Sequence, residues 1–242
     1  MKGAAHVRIA GHGARALPVD IRSEPPFAIR RSGGRILLVS SAAAPVGGDD
    51  LALEIDVEAG AHADVGTVAA TMVWPSPVRS LSVMTTTIRA GAGARVVWRP
   101  HPMVSVAGSD HVATTTVRLA ADATAVIVEE VVLGRHGESS GDLELRLRVE
   151  RDGRPLVHHV ERFGPGVPGA RSVVSVGAAR HVVQAVLVGV EAGAARSAFE
   201  GDCAAAWLPA AADAVIVLAV GPDRPSVVAL LAALAPELDL AT

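Results

Sequence analysis

The hydrophobic and polar positions of this 242-residue chain follow a period of two over much of its length. Residues 51–57 and 143–150 alternate apolar and polar side chains, which is typical of strands with one buried face. The threonine-rich segments 83–88 and 112–119 alternate in the same way, and their β-branched side chains favour extended structure. These four segments predict a protein made mostly of β-strands.

Two uninterrupted apolar runs, residues 125–128 and 214–220, predict strands that are buried on both faces. Glycine, aspartate and proline residues form turn signals between the predicted strands at short intervals. Many short strands separated by turns are typical of a β-sandwich, a barrel or a stack of coils.

A weak internal recurrence favours the stacked arrangement. The segments VEAGAHA (57–63) and IRAGAGA (88–94) each end one strand, turn on small residues and begin the next strand. LAADA (119–123) is a looser third copy, and successive copies lie about 30 residues apart. A turn repeated at this spacing indicates stacked strand layers, similar to those of a β-solenoid.

Helical patterns are scarce and lie toward the C-terminus. Residues 225–234 begin with a proline and place four apolar residues at the i, i+3, i+4 and i+7 positions of one helical face. A weaker helical stretch lies within residues 202–212. No change in composition marks a domain boundary. We therefore predict one domain over residues 1–242, mostly β, with stacked layers of short strands and one or two helices toward the C-terminus.

The composition excludes several classes of partner. Half of the residues are hydrophobic, but no uninterrupted apolar run reaches the roughly 18 residues that a membrane span requires. A formal net charge of −3 argues against a nucleic-acid partner, which normally meets a basic surface. The single cysteine, Cys203, excludes a disulfide framework, and the first residues do not resemble a signal peptide. We therefore expect a cytoplasmic protein with no membrane or nucleic-acid partner.

Motifs that carry catalysis are missing from the sequence. It has no phosphate-binding loop, no dinucleotide-binding glycine motif, no G-x-S-x-G nucleophile turn and no C-x-x-C or H-x-x-x-H pair. We therefore expect no enzymatic activity and no tightly bound cofactor.

Histidines offer at most weak metal ligands. His158 and His159 are adjacent on a predicted strand, so their side chains lie on opposite faces and cannot chelate one ion together. His101 lies in the rigid segment WRPHP. Transient binding of a borderline ion such as Ni²⁺ by one or two histidines stays open.

Two adjacent carboxylates interrupt an otherwise apolar strand. Because side chains alternate along a strand, either Glu129 or Glu130 lies on the inner face, where an unpaired charge is costly. That residue is paired, protonated or placed at a functional surface. Arg135, in the turn that follows, is the nearest partner in the sequence.

Four segments occur in order between about residues 30 and 140: Gly47-Gly48-Asp49-Asp50-Leu51, the run TVAATMVW (67–74), Trp98-Arg99-Pro100-His101-Pro102, and Glu129 followed by Gly134-Arg135 and Gly137-Glu138. Together they resemble the UreD family of urease accessory proteins, called UreH in some organisms. Met72 and Trp74 depart from the family pattern, which has lysine and tyrosine at these positions. The C-terminal third matches only loosely.

The resemblance implies a non-enzymatic maturation factor with a mostly β fold. Such a scaffold binds the urease apoprotein and a UreF-like helical protein, which recruits a UreG-like GTPase for GTP-dependent insertion of nickel. The functional residues that the resemblance implies are Gly47, Gly48, Asp49, Thr71, Glu129, Gly134, Arg135 and Glu138. A nickel route would use Asp49, Glu129, Glu138 and His101, although a simple tight turn also explains Gly47-Gly48-Asp49.

Two other interpretations remain open at this stage. The all-β pattern by itself is compatible with a ligand- or carbohydrate-binding module, although the chain offers few aromatic residues for a binding platform. A hydrolase would use Glu129, Glu130 or Glu138 as general acid and base.

Overall fold

The computed structural model describes residues 1–172 and 175–240. Strands make up most of it and are followed by a helix, α1 (Arg224–Leu234), and a short 3₁₀ turn, Pro236–Leu238. In chain order the strands are β1 (Lys2–Ala10), β2 (Leu17–Ser23), β3 (Phe27–Ser32), β4 (Arg35–Ser40), β5 (Asp50–Val57), β6 (His62–Thr67), β7 (Thr71–Val73), β8 (Ser82–Ala90), β9 (Arg95–Arg99), β10 (Met103–Ser105), β11 (Asp110–Leu119), β12 (Thr124–Leu133), β13 (Asp142–Arg151), β14 (Arg154–Phe163), β15 (His181–Val188), β16 (Arg196–Glu200), β17 (Cys203–Ala211) and β18 (Ala214–Gly221).

These strands form two sheets. The first sheet has the order β14-β13-β11-β8-β5-β1-β2, and the second has the order β16-β17-β18-β15-β12-β9-β6-β4-β3. The short strands β7 and β10 pair with each other in parallel, and β10 also pairs with β12 beside the second sheet. The alternating segments of the sequence lie in β5, β8, β11 and β13, which confirms the predicted strands.

Successive coils of the chain pass from the first sheet to the second and back. The strands β5, β8 and β11 pair in parallel within the first sheet, and β6, β9 and β12, which follow them in the chain, pair in parallel within the second. Each strand therefore bonds to its equivalent one coil later. This stacking is the solenoid-like architecture that the sequence predicts.

The turns between the sheets stack in the same way as the strands. The Gly60 amide donates to the Ala92 carbonyl at 2.8 Å, and the Ala120 amide donates to the Ala90 carbonyl at 2.9 Å. Gly60 and Gly93 have φ angles of +70° and +62°, a region that glycine enters without strain. The recurrence of about 30 residues in the sequence thus marks successive stacked turns.

The main hydrophobic core fills the space between the two sheets. Ile55 and Ile88 from the first sheet meet Val65, Val96 and Ile127 from the second, and all five are fully buried. Each such side chain stabilises the fold by roughly 1.5–3 kcal/mol relative to an exposed position.

The chain ends in an antiparallel meander covered by the helix. β15 pairs with β12 and β18, and β17 joins β18 to β16. Helix α1 packs Val227, Leu230, Leu231 and Leu234 against the outer face of these strands, as the sequence predicts. The Asp223 carboxylate caps the helix by accepting from the Ser226 amide at 2.9 Å. No helix in the described ranges is long and apolar enough to cross a membrane.

The second predicted helix, within residues 202–212, is wrong. This segment forms strand β17, in which Cys203, Ala205 and Trp207 are buried at alternate positions and the backbone pairs with β16 and β18. Its alanines favour a helix in isolation, but pairing with two neighbouring strands overrides that preference. Strand β15, which is buried along its whole length, was not predicted.

We expect Ile88→Ala to lower the free energy of unfolding by about 3 kcal/mol, because it leaves a cavity at the centre of the core. Val78→Ala serves as the control, because Val78 is 79% exposed, and its effect should stay within about 0.5 kcal/mol. Urea denaturation followed by circular dichroism measures both changes. Equal losses in the two variants would contradict the assignment of this core.

Candidate functional site

The paired carboxylates Glu129 and Glu130 lie in the middle of β12, and the strand sends their side chains to opposite faces of the second sheet. Glu129 lies between Ile127 and Val131 on the face toward the first sheet. Glu130 lies on the outer face, next to the helix that covers the meander. The two carboxyls therefore have different neighbours.

Glu130 is held in a buried ion-pair network. Its Oε2 accepts from Arg224 Nε at 2.9 Å and lies 3.1 Å from His181 Nε2, and Arg224 Nη2 donates to Oε1 at 3.2 Å. Burial by itself raises the pKa of the Glu130 carboxyl. The hydrogen bonds and charges of His181 and Arg224 outweigh burial and lower this pKa below its ordinary value.

Among the residues that the structure describes, the hydrogen-bond partners of the Glu129 carboxyl are neutral. Its Oε1 accepts from Thr115 Oγ1 at 2.5 Å, and its Oε2 accepts from Gln184 Nε2. Burial raises the pKa of the Glu129 carboxyl, and the two hydrogen bonds offset only part of this effect. Glu129 is thus the inner carboxyl, and its raised pKa shifts it toward the protonated form. Glu130, on the outer face, is the carboxyl that is paired.

A small cavity of about 60 Å³ opens beside these two carboxyls. Thr71 at the start of β7, the exposed His101 and both glutamates contribute to its wall. The remaining wall is mainly apolar or hydroxyl-bearing: Thr67, Met84, Thr86, Trp98, Pro100, Met103, Ala113, Thr114, Thr115, Val131 and Leu145. The structure therefore brings together three of the candidate functional residues that the family resemblance implies, namely Thr71, His101 and Glu129.

Asp49 belongs to a different part of the molecule. Its buried carboxylate accepts from the Val46 amide at 2.8 Å and from the Met1 nitrogen, which closes the turn before β5. Gly47 is required there because a Cβ would lie 2.5 Å from Ser76 Oγ, and Gly48 has a φ of +89°. Asp49 does not line the cavity beside Glu129, and its visible role is to hold this turn.

Gly134, Arg135 and Glu138 form a separate turn after β12. Arg135 donates from Nε and Nη2 to the two oxygens of Glu138, each at 2.9 Å. The side-chain and backbone hydrogen bonds from Arg135 lower the pKa of Glu138 to about 2. Arg135 was expected to pair with Glu129 or Glu130. That expectation is wrong, because the turn directs its guanidinium to Glu138 and over the ring of Trp74.

A polar layer that the sequence interpretation missed surrounds Glu129. It consists of Thr115, Glu129, His159 and Gln184, which meet between the main core and a smaller core that contains Val131 and Leu145. Glu129 and Gln184 are direct cross-strand neighbours in the register of β12 and β15. The available signal was Gln184 itself, a polar residue inside the apolar run of β15.

Comparison with known proteins shows which family this chain belongs to. A family model described as UreD urease accessory protein matches residues 1–240. The chain belongs to the UreD family. It is 38% identical over 230 residues to the urease accessory protein UreD 3 of Streptomyces griseus, an alignment that covers 88% of this chain and 86% of the relative.

Two further UreD relatives are similar to this chain over at least three quarters of its length. The urease accessory protein UreD of Streptomyces coelicolor is 36% identical over 223 residues, which covers 88% of this chain and 86% of that protein. The urease accessory protein UreD 2 of Saccharopolyspora erythraea is 37% identical over 190 residues, which covers 76% of this chain and 67% of that protein. The resemblance inferred from four short segments therefore extends over most of the chain.

The two residues that depart from the UreD pattern lie on an apolar groove of about 210 Å³. Met72 and Trp74 line it together with Phe27 and Leu38. The guanidinium of Arg135 also lies over the ring of Trp74, 5.3 Å from its centroid. This contact connects the turn after β12 with the segment that directly follows β7. Methionine at position 72 makes this wall apolar rather than cationic.

We expect Glu130→Gln to lower the free energy of unfolding by about 2 kcal/mol near pH 7, because it weakens charged hydrogen bonds in a buried network. The folded-state pKa of Glu130 is lowered, so its stabilisation is complete above the ordinary value of 4.5 and is lost as the pH falls through the lowered value. Urea denaturation at pH 7 and at progressively acidic pH should show the difference from the wild type shrinking.

The exposed Glu58→Gln is the matched control for this measurement, and it should change stability little at either pH. A Glu130→Gln difference that stays constant down to the acid limit of folding would contradict the assigned direction of the pKa shift.

Proposed function

We propose that this UreD chain is a urease maturation scaffold that works in the cytoplasm. It binds the urease apoprotein and a UreF-like helical protein, and through the latter a UreG-like GTPase, to support GTP-dependent nickel insertion. Membership in the UreD family supports a urease accessory role, and its relatives carry that name. Nickel is cargo in this proposal, and no tightly bound cofactor is required.

The observation that carries the proposal is the cavity beside Glu129. It combines a carboxyl, a threonine hydroxyl and the imidazole of His101 in a largely apolar wall, and borderline divalent ions accept such oxygen and nitrogen ligands. The raised pKa of Glu129 makes a cation compete with a proton for the same carboxyl. Such a site binds weakly and releases readily, which suits an ion in transit.

The ion pair of Glu130 keeps this cavity from binding a divalent cation tightly. Glu130 also contributes to the wall, but Arg224 and His181 already occupy its carboxylate oxygens on the outer face of the sheet. Adding a divalent ion there requires breaking charge-assisted hydrogen bonds. Glu129 is therefore the carboxyl of this pair that is available to a passing cation.

A carbohydrate-binding function receives less support from the structure. Such modules present flat aromatic side chains to the sugar. Trp98, Phe163 and Trp207 are at most 4% exposed, and Phe199, at 77% exposed, stands on the edge strand β16. Apart from Phe27 and Trp74, which line the apolar groove, the described part of the chain does not group its aromatic residues into a platform.

We expect Glu129→Gln to lower urease activity roughly tenfold when it replaces the wild-type gene in a urease-producing host at limiting nickel. The apoprotein should still be made and should still co-purify with the variant, because the substitution lies inside the fold. Urease activity and the nickel content of purified urease are the measurements.

Glu58→Gln, at an exposed carboxylate that does not line the cavity, is the control and should support normal activity. If a strain without this gene kept full urease activity at limiting nickel, the proposed function would be wrong. If the strain without the gene lost urease activity but the Glu129→Gln strain kept full activity, the scaffold role would stand and the proposed passage of nickel through the cavity would be wrong.

A further inference from the structure

The side chain of Gln184 contacts both Glu129 and His159, and it determines which ring nitrogen of His159 carries the hydrogen. Its Nε2 donates to Glu129 Oε2, so its Oε1 is the atom 2.8 Å from His159 Nδ1. An amide oxygen can only accept a hydrogen bond. His159 Nδ1 therefore carries the hydrogen, and a neutral His159 presents a lone pair at Nε2.

That lone pair has an acceptor as its neighbour. His159 Nε2 lies 3.8 Å from Glu161 Oε1, which is too long for a hydrogen bond. The two residues are two positions apart on β14 and therefore share one face of the strand. Two electron-rich atoms held this close repel each other unless a positive charge lies between them.

One oxygen of the Glu161 carboxylate also lacks a hydrogen-bond donor among the described residues. Glu161 Oε2 is buried and accepts no hydrogen bond from residues 1–172 or 175–240, whereas most buried carboxylate oxygens have a donor. Burial raises the pKa of the Glu161 carboxyl, and the nearby His159 offsets this only in part. The remainder of each side chain is partly open, with 21% of Glu161 and 27% of His159 exposed, so a small ion can reach the pair.

The spacing and the surroundings match a metal-ligand pair. A first-row divalent ion binds imidazole nitrogen and carboxylate oxygen at about 2.0–2.2 Å, so one ion can join atoms up to about 4 Å apart. Histidine ligands of metals characteristically donate their other ring N–H to an oxygen acceptor, as His159 does to Gln184. The hydrogen bond that a histidine ligand makes with its other ring nitrogen is thus already present.

We propose that His159 Nε2 and the Glu161 carboxylate bind a borderline divalent cation, of the chemical class of Ni²⁺, Co²⁺ and Zn²⁺, with Gln184 and Glu129 fixing the histidine tautomer. Its biological role rests on the proposed function, because a cation that passes Glu129 would next meet this pair across Gln184. Two protein ligands leave the other coordination positions to water, which makes the site exchangeable.

The neighbouring histidine provides a matched control. His158 lies on the same strand, but it is exposed on the opposite face and belongs to none of these contacts. The full-length chain is titrated with NiCl₂ and ZnCl₂ in a calorimeter, in parallel with His159→Ala, Glu161→Gln and His158→Ala. Circular dichroism checks that each variant is folded.

We expect His159→Ala and Glu161→Gln each to remove one binding event or to weaken it roughly tenfold or more, and His158→Ala to bind like the wild type. Wild-type binding in His159→Ala, or an equal loss in His158→Ala, would overturn the site. Should the alanine variant fail to fold, the conservative His159→Gln takes its place, with the same expectation.

The tautomer gives an independent readout. Long-range ¹H–¹⁵N spectra of the wild type should show His159 protonated at Nδ1. An Nε2–H tautomer in the wild type would refute the proposed site, because Nε2 would then have no lone pair for a cation.

These outcomes separate the inference from the proposed function. If cation binding does not depend on His159 while the gene is still required for active urease, this site is wrong and the maturation role stands. If the site binds nickel as expected while a strain lacking the gene keeps full urease activity, the maturation role is wrong and the site stands.

Discussion

Parallel, in-register pairing between successive coils is the constraint on which the rest of this structure depends. Because β11 pairs with β8 and β12 pairs with β9 without a shift in register, equivalent side chains of neighbouring coils enter the same row between the sheets. A shift by one residue would send every inward side chain outward. The pairing thus determines both the hydrophobic core and the position of Glu129 within it.

The same alternation gives the adjacent carboxyls opposite electrostatics. One step along β12 separates Glu129, which faces hydroxyl and amide groups, from Glu130, which faces a guanidinium and an imidazole. Burial raises the pKa of both carboxyls, but the charged partners of Glu130 outweigh burial and lower its pKa, whereas the pKa of Glu129 stays raised. A strand can therefore give two adjacent carboxyls pKa shifts of opposite direction.

Features set by local pattern could be predicted from the sequence. Period-two alternation, the repeated small-residue turns and the proline-initiated helix identified the strands, the stacking and α1. The partners of the two glutamates could not be predicted, because Gln184 and Arg224 lie 55 and 94 residues further along the chain. Proximity in sequence favoured Arg135 as the partner of these glutamates. In the turn after β12, however, Arg135 donates to Glu138.

The helix expected within residues 202–212 failed for a related reason. Alanine favours helix in a free chain, but the edge of β18 supplies a full row of backbone partners for this segment. Trp207 then buries its ring beneath the meander and donates from Nε1 to the Ala192 carbonyl at 2.7 Å. Long-range pairing decides the structure wherever local preference is weak.

The polar layer between the two cores is difficult to explain by stability alone. Apolar residues at the rows of Glu129, Gln184 and His159 would join the cores without the cost of removing polar groups from water. Next to this layer, Glu161 Oε2 has no hydrogen-bond donor among the described residues. A network that costs stability and leaves an acceptor open is better explained by an interaction with a cation than by folding. The solenoid core supplies the rigidity that holds such an arrangement in place.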